Sequence, residues 1–186
     1  PAQAAAIVRL LEEEDAMHLD LRTLSFRFVH GRTASTKTPE IMRAYATGGS
    51  GTVAGAPDRD RAREIAFYER LGREGVSDAL CRAAALGVRE ACDAFEARGA
   101  DHACLLGPQL TALDVAWFVY AFRLELGGYP LARLHPRVAA WFERLSADAR
   151  FVREVTPPPE MAARIAGARA RQEAEGATLC AVAGWD

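Results

Sequence analysis

The sequence predicts an all-α protein built as a helical bundle, and three observations carry that expectation. Apolar residues recur every three or four positions over two long stretches, the period of one buried helix face. A later run, Val115 to Phe122, is apolar nearly all round, as a helix at the centre of a bundle would be. No stretch shows sustained period-two alternation, and no Asn-Gly pair marks a hairpin.

The first long helical segment runs from about Gln3 to Val29. Ile7, Leu10, Leu11, Met17, Leu21, Leu24 and Phe28 form its apolar stripe, and Glu12, Glu13, Glu14, Asp15, Asp20 and Arg27 read as largely solvated. Gly31 is a plausible stop. Between Arg32 and Pro57 the pattern lapses. Thr38-Pro39 favours a short helix to Ala46, since proline suits the first helical position. Gly48, Gly49, Ser50, Gly51 and Gly55 then make a surface loop. That patch lacks the Walker lysine and follows no strand, so it is not read as a phosphate loop.

The second long segment, about Asp58 to Arg98, carries Ile65, Tyr68, Leu71, Val76, Leu80, Ala84, Val88, Ala91 and Phe95 on one stripe. Gly72 or Gly75 is expected to bend or break it, and Gly99 to end it. A turn over Leu105–Gln109 leads to a third helix from Thr111, halted by Gly127-Gly128-Tyr129-Pro130. His135-Pro136 opens a helix to about Leu145, and a further turn covers Asp148 to Val155. Pro157, Pro158 and Pro159 break the chain ahead of a polar tail. The expected organisation is a helical domain over 1–156, with a loop over 31–57 inside it, and a polar C-terminal tail over 157–186.

Composition excludes several classes of function. The net charge is −2 and both signs are interleaved, giving no field that argues for nucleic acid or an anionic membrane. No apolar run approaches the ~20 residues that cross a bilayer, and no secretory signal pattern is present, so a cytoplasmic location is expected. Cys81, Cys92, Cys104 and Cys180 form no CxxC pair and read as small buried hydrophobes in a reducing compartment.

The sharpest local feature is Leu110-Thr111-Ala112-Leu113-Asp114-Val115. Thr111 can cap the helix, Asp114 can reach back to the Thr111 N–H, and Leu110 and Val115 occupy the positions of a hydrophobic staple. A turn containing Gly107 precedes this box and an aromatic helix follows it. Then come Gly127-Gly128-Tyr129-Pro130, His135-Pro136 and Val138-Ala139-Ala140-Trp141-Phe142-Glu143-Arg144-Leu145. This order resembles the C-terminal domain of glutathione S-transferases, best from Leu105 to Val155 and more loosely back to Gln3. The longer stretch 32–57 loosely resembles the bacterial branch related to tetrachlorohydroquinone dehalogenase.

The resemblance implies a helical bundle of the glutathione S-transferase C-terminal type. It implies that the first helix and the core helix line a cleft for a small hydrophobic electrophile, which points to Met17, Leu21, Arg22, Ser25, Trp117 and Tyr120 as substrate-binding residues. Met17 and Trp117 also fit a plain core role. Thr111 and Asp114 are structural caps. No catalytic residue carries over, because the family's glutathione site and catalytic Ser, Cys or Tyr lie mainly in a thioredoxin-like domain that this sequence does not contain. No cofactor or metal is expected in the chain, with glutathione as the family's co-substrate. A homodimer is expected through the two long helical segments.

Other constellations are weaker. Glu14, Asp15 and His18 share a helix face as metal ligands do in di-iron bundles, but no second Glu-x-x-His exists, so the face reads as charged and solvated. His102 and Cys104 suggest a nucleophile pair with no third member. His135, before a proline at a helix start, reads as structural. Arg22 and Arg27 could hold an anionic group or pair with the acidic run. The leading expectation is therefore the C-terminal part of a glutathione S-transferase-like protein. The alternative is a stand-alone dimerisation or protein-binding module of the same fold, and a helical metalloprotein ranks last.

Overall fold

A computed structural model describes residues 2–32, 37–49, 51–53, 55–98 and 102–185. The expectations placed on Ser50, Gly99 and Asp101 lie outside the described residues. The architecture is all-α. Among the described residues the only sheet is a two-residue hairpin, β1 (Thr52–Val53) against β2 (Ala56–Pro57). The sequence reading had no strand there. Gly55 at φ +81° supplies the turn between the pair, a backbone state that costs glycine nothing.

The first long segment is helical throughout but is not one helix. α1 (Ala2–Ala16) breaks at Met17, α2 (His18–Leu24) follows, and a π-helical turn (Ser25–Val29) closes it. Burial follows the apolar stripe: Leu10, Met17, Leu21, Leu24 and Phe28 are all buried. One acidic residue departs from the solvated reading, because Glu14 faces inward at 7% exposure. α3 (Pro39–Thr47) begins where the Thr38-Pro39 pair placed it, with the Thr38 side chain accepting from the Ile41 N–H at 3.3 Å.

The second segment breaks at Gly75, between α4 (Arg59–Glu74) and α5 (Asp78–Ala97). Gly75 has φ +69° and ψ −174°, a region almost closed to residues with a Cβ. Gly72 stays helical. Asp58 and Ser77 cap the two helices by accepting from the third residue on, at 2.9 and 3.3 Å.

α6 (Ala112–Leu126) is the central helix, and α7 (Leu131–Leu134), α8 (Pro136–Ser146) and α9 (Ala149–Val155) wrap around it. The interior is aromatic: Phe95 packs on Trp117 at 4.8 Å and on Trp141 at 5.2 Å, and Phe118 meets Phe151 edge-on at 4.8 Å between centroids. α6 does not lie wholly inside, as its composition suggested. Val115 and Val119 stand 48% and 38% exposed. They face an open apolar cleft of about 250 Å3, shared with Leu110, Phe118, Phe151 and Val155.

The stretch expected as a polar tail carries α10 (Pro159–Ala174) and α11 (Leu179–Ala183). α10 packs on the π turn and α11 on α5, burying Ile165, Ala168, Leu179 and Val182. Trp185 meets Tyr129 edge-on at 5.4 Å. The apolar period in this stretch is sparse, because alanine and arginine dominate it, and only four side chains anchor the two helices.

Candidate functional site

The box at Thr111 builds the scaffold on which the site stands. Asp114 is fully buried and accepts four hydrogen bonds. Oδ1 takes the Leu105 N–H at 2.8 Å and the Trp141 indole N–H at 3.2 Å. Oδ2 takes the Thr111 N–H at 2.9 Å and the Thr111 hydroxyl at 2.8 Å. One carboxylate thus ties the preceding turn, the start of α6 and the middle of α8 together. The reciprocal capping box is present. The staple residues Leu110 and Val115 line one cleft together. Nearby, Glu96 caps α8 from outside by accepting the Arg137 and Val138 N–H groups at 2.9 Å.

A second polar cluster lies where α1, α2, α4 and α6 meet. Arg22 is its hub. One of its nitrogens forms an ion pair with Glu64 at 2.8 Å and donates to the Tyr68 hydroxyl at 3.3 Å. The other donates to His18 Nε2. Arginine has no acceptor, so this contact fixes the histidine tautomer. Nε2 is bare and Nδ1 carries the proton, which it donates to the Tyr120 oxygen at 2.8 Å. The Tyr120 hydroxyl proton is then free for the neighbouring Glu14 carboxyl, which it holds down against the effect of burial. The result is a directed chain from Arg22 through His18 and Tyr120 to Glu14.

The titration behaviour follows from this packing. Burial holds His18 below its ordinary pKa, and the Arg22 and Arg123 charges add to that. Burial raises Glu14, against the Tyr120 hydrogen bond. Burial and the neighbouring Glu14 and Asp15 push the Tyr120 hydroxyl up, so it stays a donor. A polar notch of about 120 Å3 opens beside His18, lined also by Asp15, Leu19, Asp60, Arg63 and Glu64.

The residues expected to bind substrate divide into two groups. Met17, Leu21 and Trp117 are at most 4% exposed and belong to the core. Arg22, Ser25 and Tyr120 are brought together with polar partners. Arg22 keeps 18% of its side chain exposed. Ser25 is buried, donates to the Leu21 carbonyl at 2.7 Å and accepts from Arg123 Nη2 at 3.0 Å. Sequence reasoning missed four members: His18, Glu14, Tyr68 and Arg123. His18 and Glu14 had been read as a solvated face. Arg123 is the one positive charge in α6, three positions after Tyr120, and a charge within so apolar a helix was the available signal.

The remaining constellations are structural. All four cysteines are free. Burial pushes the Cys81 and Cys92 thiols up to about 11 and about 12, leaving them protonated and unreactive. Cys104 is buried and its backbone pairs with Gly107, while the His102 carbonyl accepts from Arg144. His135 is fully buried, with Nε2 2.8 Å from the Tyr129 hydroxyl. Its Nδ1 lies 3.4 Å from Asp93 but out of hydrogen-bonding alignment. Arg27 donates to Asp78 and to the Val76 carbonyl, both at 2.8 Å. No three His, Cys, Asp or Glu side chains gather as a metal site among the described residues. No helix among them is long and apolar enough to cross a membrane.

The all-α bundle, with its central helix opening on a buried Thr-x-x-Asp box, is the class of fold seen in transferase-type helical domains. Residues 66–144 match the family model of the glutathione S-transferase C-terminal domain. No curated protein and no solved structure matches the chain. The matched segment runs from within α4 to within α8, so it holds the Asp114 scaffold, Tyr68, Trp117, Tyr120 and Arg123. Glu14, His18, Arg22 and Ser25 lie outside it.

Proposed function

We propose that this chain is the helical, acceptor-side portion of a glutathione S-transferase-like protein. In that reading α2 and α6 present a wall to a small hydrophobic electrophile. Glutathione, as co-substrate, is held by a thioredoxin-like domain, which these residues do not form. The observation that carries the reading is the Arg22–His18–Tyr120–Glu14 chain, a half-buried polar array on a scaffold that matches this family. Tyr68 and Phe67 stack beneath the Arg22 guanidinium, 5.6 and 6.0 Å from it, which gives an aryl group a flat partner there. The wall itself is Arg22, Tyr120 and Ser25, backed by Met17, Leu21 and Trp117. The long connection between α2 and α4 favours the branch related to tetrachlorohydroquinone dehalogenase as the finer placement. Titration with a neutral aryl halide, followed by tryptophan fluorescence, tests the wall. Saturable quenching that weakens in Arg22→Ala supports it, and the absence of saturable quenching refutes it.

A homodimer through α1–α2 and α4–α5 is part of the same proposal. Val8 on α1 and Leu86 on α5 are 57% and 56% exposed, and Val8 and Leu11 line an open cleft beside α4. Two-fold pairing is the commonest way for identical chains to bury such residues. Light scattering across micromolar concentrations reads the outcome. A monomer mass that persists as concentration rises refutes the dimer and leaves α10 and α11, already folded over the π turn and α5, as sufficient cover. The non-enzymatic alternative, a binding module of this fold, draws on the apolar cleft at Leu110, Val115 and Val119.

A further inference from the structure

Several arginines on the helices around the site pair with carboxylates. Arg22 pairs with Glu64, Arg27 with Asp78, Arg98 with Glu13 and Arg169 with Glu173. Arg123 is the exception in the interior. It is half-buried on α6, and no carboxylate among the described residues pairs with it. Burial lowers its pKa, which reports that its charge has lost water without gaining a counter-charge. Among the described residues its one side-chain hydrogen-bond acceptor is the Ser25 hydroxyl at 3.0 Å. Ser25 has spent its own proton on the Leu21 carbonyl, so its oxygen is fixed as an acceptor towards Arg123. A guanidinium carries five N–H donors, and one is used.

The surroundings reinforce the imbalance. The nearest carboxylates are committed: Glu64 to Arg22 and Glu14 to Tyr120. His18 is held towards its neutral form by burial, with the Arg22 and Arg123 charges adding to it. On the opposite side His30 feels Arg32, Arg123 and Arg164 together. Arg32 and Arg164 are exposed and, like Arg123, pair with no carboxylate among the described residues. The charges of all three guanidinium groups act on His30, which follows the π turn. Two of them form an outer field that draws anions inward, and one sits in partly dehydrated surroundings, where a charge-assisted pair is strong.

We infer that Arg123, seated by Ser25, is the docking point for an oxyanion, a carboxylate, sulfonate or phosphate, carried by a small molecule that lies against the α2–α6 wall. The inference rests on the wall reading and adds the charge of the ligand to it. A planar guanidinium binds such a group through two parallel N–H donors, and lysine does not reproduce that geometry.

The test compares benzenesulfonate with its neutral counterpart methyl phenyl sulfone, in low-chloride buffer, by amide NMR of the full chain. The expected result is saturable shifts at His30 and Arg123 with the sulfonate and not with the sulfone, and tighter binding of the sulfonate at the wall. Arg123→Gln should weaken sulfonate binding by roughly ten-fold or more, as loss of a hydrogen bond to a charged group does. Arg123→Lys should restore only part of it. Arg169→Gln, which removes an arginine with its own glutamate, should leave binding unchanged. Equal binding of sulfonate and sulfone overturns the anion site and leaves the wall standing. Sulfonate binding that survives Arg123→Gln overturns the assignment to Arg123. Failure of both compounds to bind overturns the site and the wall together. The shifts are read on the unsubstituted chain, so the conclusion does not depend on the variants folding.

Discussion

Replacing Asp114 by alanine removes the acceptor for four hydrogen bonds at one point. Trp141 is fully buried, so its indole N–H would be stranded, at a cost of about 1–3 kcal/mol. The Leu105 and Thr111 N–H groups sit in half-buried residues where water reaches in part, and losing them together costs about 1–2 kcal/mol, as for an N-cap. The sum is about 2–5 kcal/mol, a large share of the ~5–15 kcal/mol that holds a typical domain folded. At ~2–4 °C per kcal/mol for a chain of this size, the melting temperature should fall by about 4–20 °C. Asp114→Asn should cost less, because its carbonyl oxygen can still serve Leu105 and Trp141 while its NH2 opposes the Thr111 N–H. Thr111→Val, which deletes only the hydroxyl, should cost least. Circular dichroism melts, with urea unfolding as a check, read the order directly. If Asp114→Ala melts with the wild type, or Thr111→Val is the worse lesion, the account of a single carboxylate tying three elements is wrong.

Three further outcomes are expected. His18, His30 and His135 are all held below the ordinary imidazole pKa, with burial the largest cause in each. The unfolded chain therefore takes up protons first, so stability is full above about pH 6.5 and declines as pH falls from there towards the lowered values. The raised carboxyls of Glu14, Asp20 and Glu125 act in the opposite sense at lower pH. A urea midpoint that rises between pH 7 and 6 contradicts this, and His135→Phe should flatten the slope. Gly75→Ala should destabilise by about 1–3 kcal/mol through its backbone alone, without change to the helical spectrum. A variant as stable as the parent would show that the α4–α5 break relaxes freely. Finally, this chain should neither bind glutathione at micromolar concentration nor conjugate it to an aryl halide, and a calorimetric isotherm with glutathione would contradict that.

The helices were legible because their buried faces repeat at helical spacing and their starts carry side-chain caps. Thr38, Asp58, Ser77 and Thr111 each open a helix near where the sequence placed it. Gly75 was legible as one of two possible breaks, but its φ was not, since both glycines carry the same local signal in sequence. The π turn left no mark, because Ser25–Val29 has the composition of an ordinary helix end. The site was half legible. Arg22, Ser25 and Tyr120, which the structure places in one polar cluster, were named through the family resemblance. His18 and Glu14 were missed because their burial depends on Tyr120, 102 positions away from His18, reaching across to them. Val115 and Val119 show the converse error: an apolar surface and an apolar core look alike in sequence.

The π turn has a consequence for how the chain comes to be folded. Its wider winding leaves backbone carbonyls at Arg27 and Phe28, which accept from the Gln172 side-chain amide at 3.2 and 3.4 Å. Gln172 lies 145 residues beyond Arg27. As the chain leaves the ribosome, this helical segment thus waits for a much later one to find those acceptors. Until α10 has been synthesised and has docked, water must serve them. Limited proteolysis of stalled nascent chains should find the segment around Ser25–Val29 vulnerable at every length short of α10, and protected once that helix has emerged.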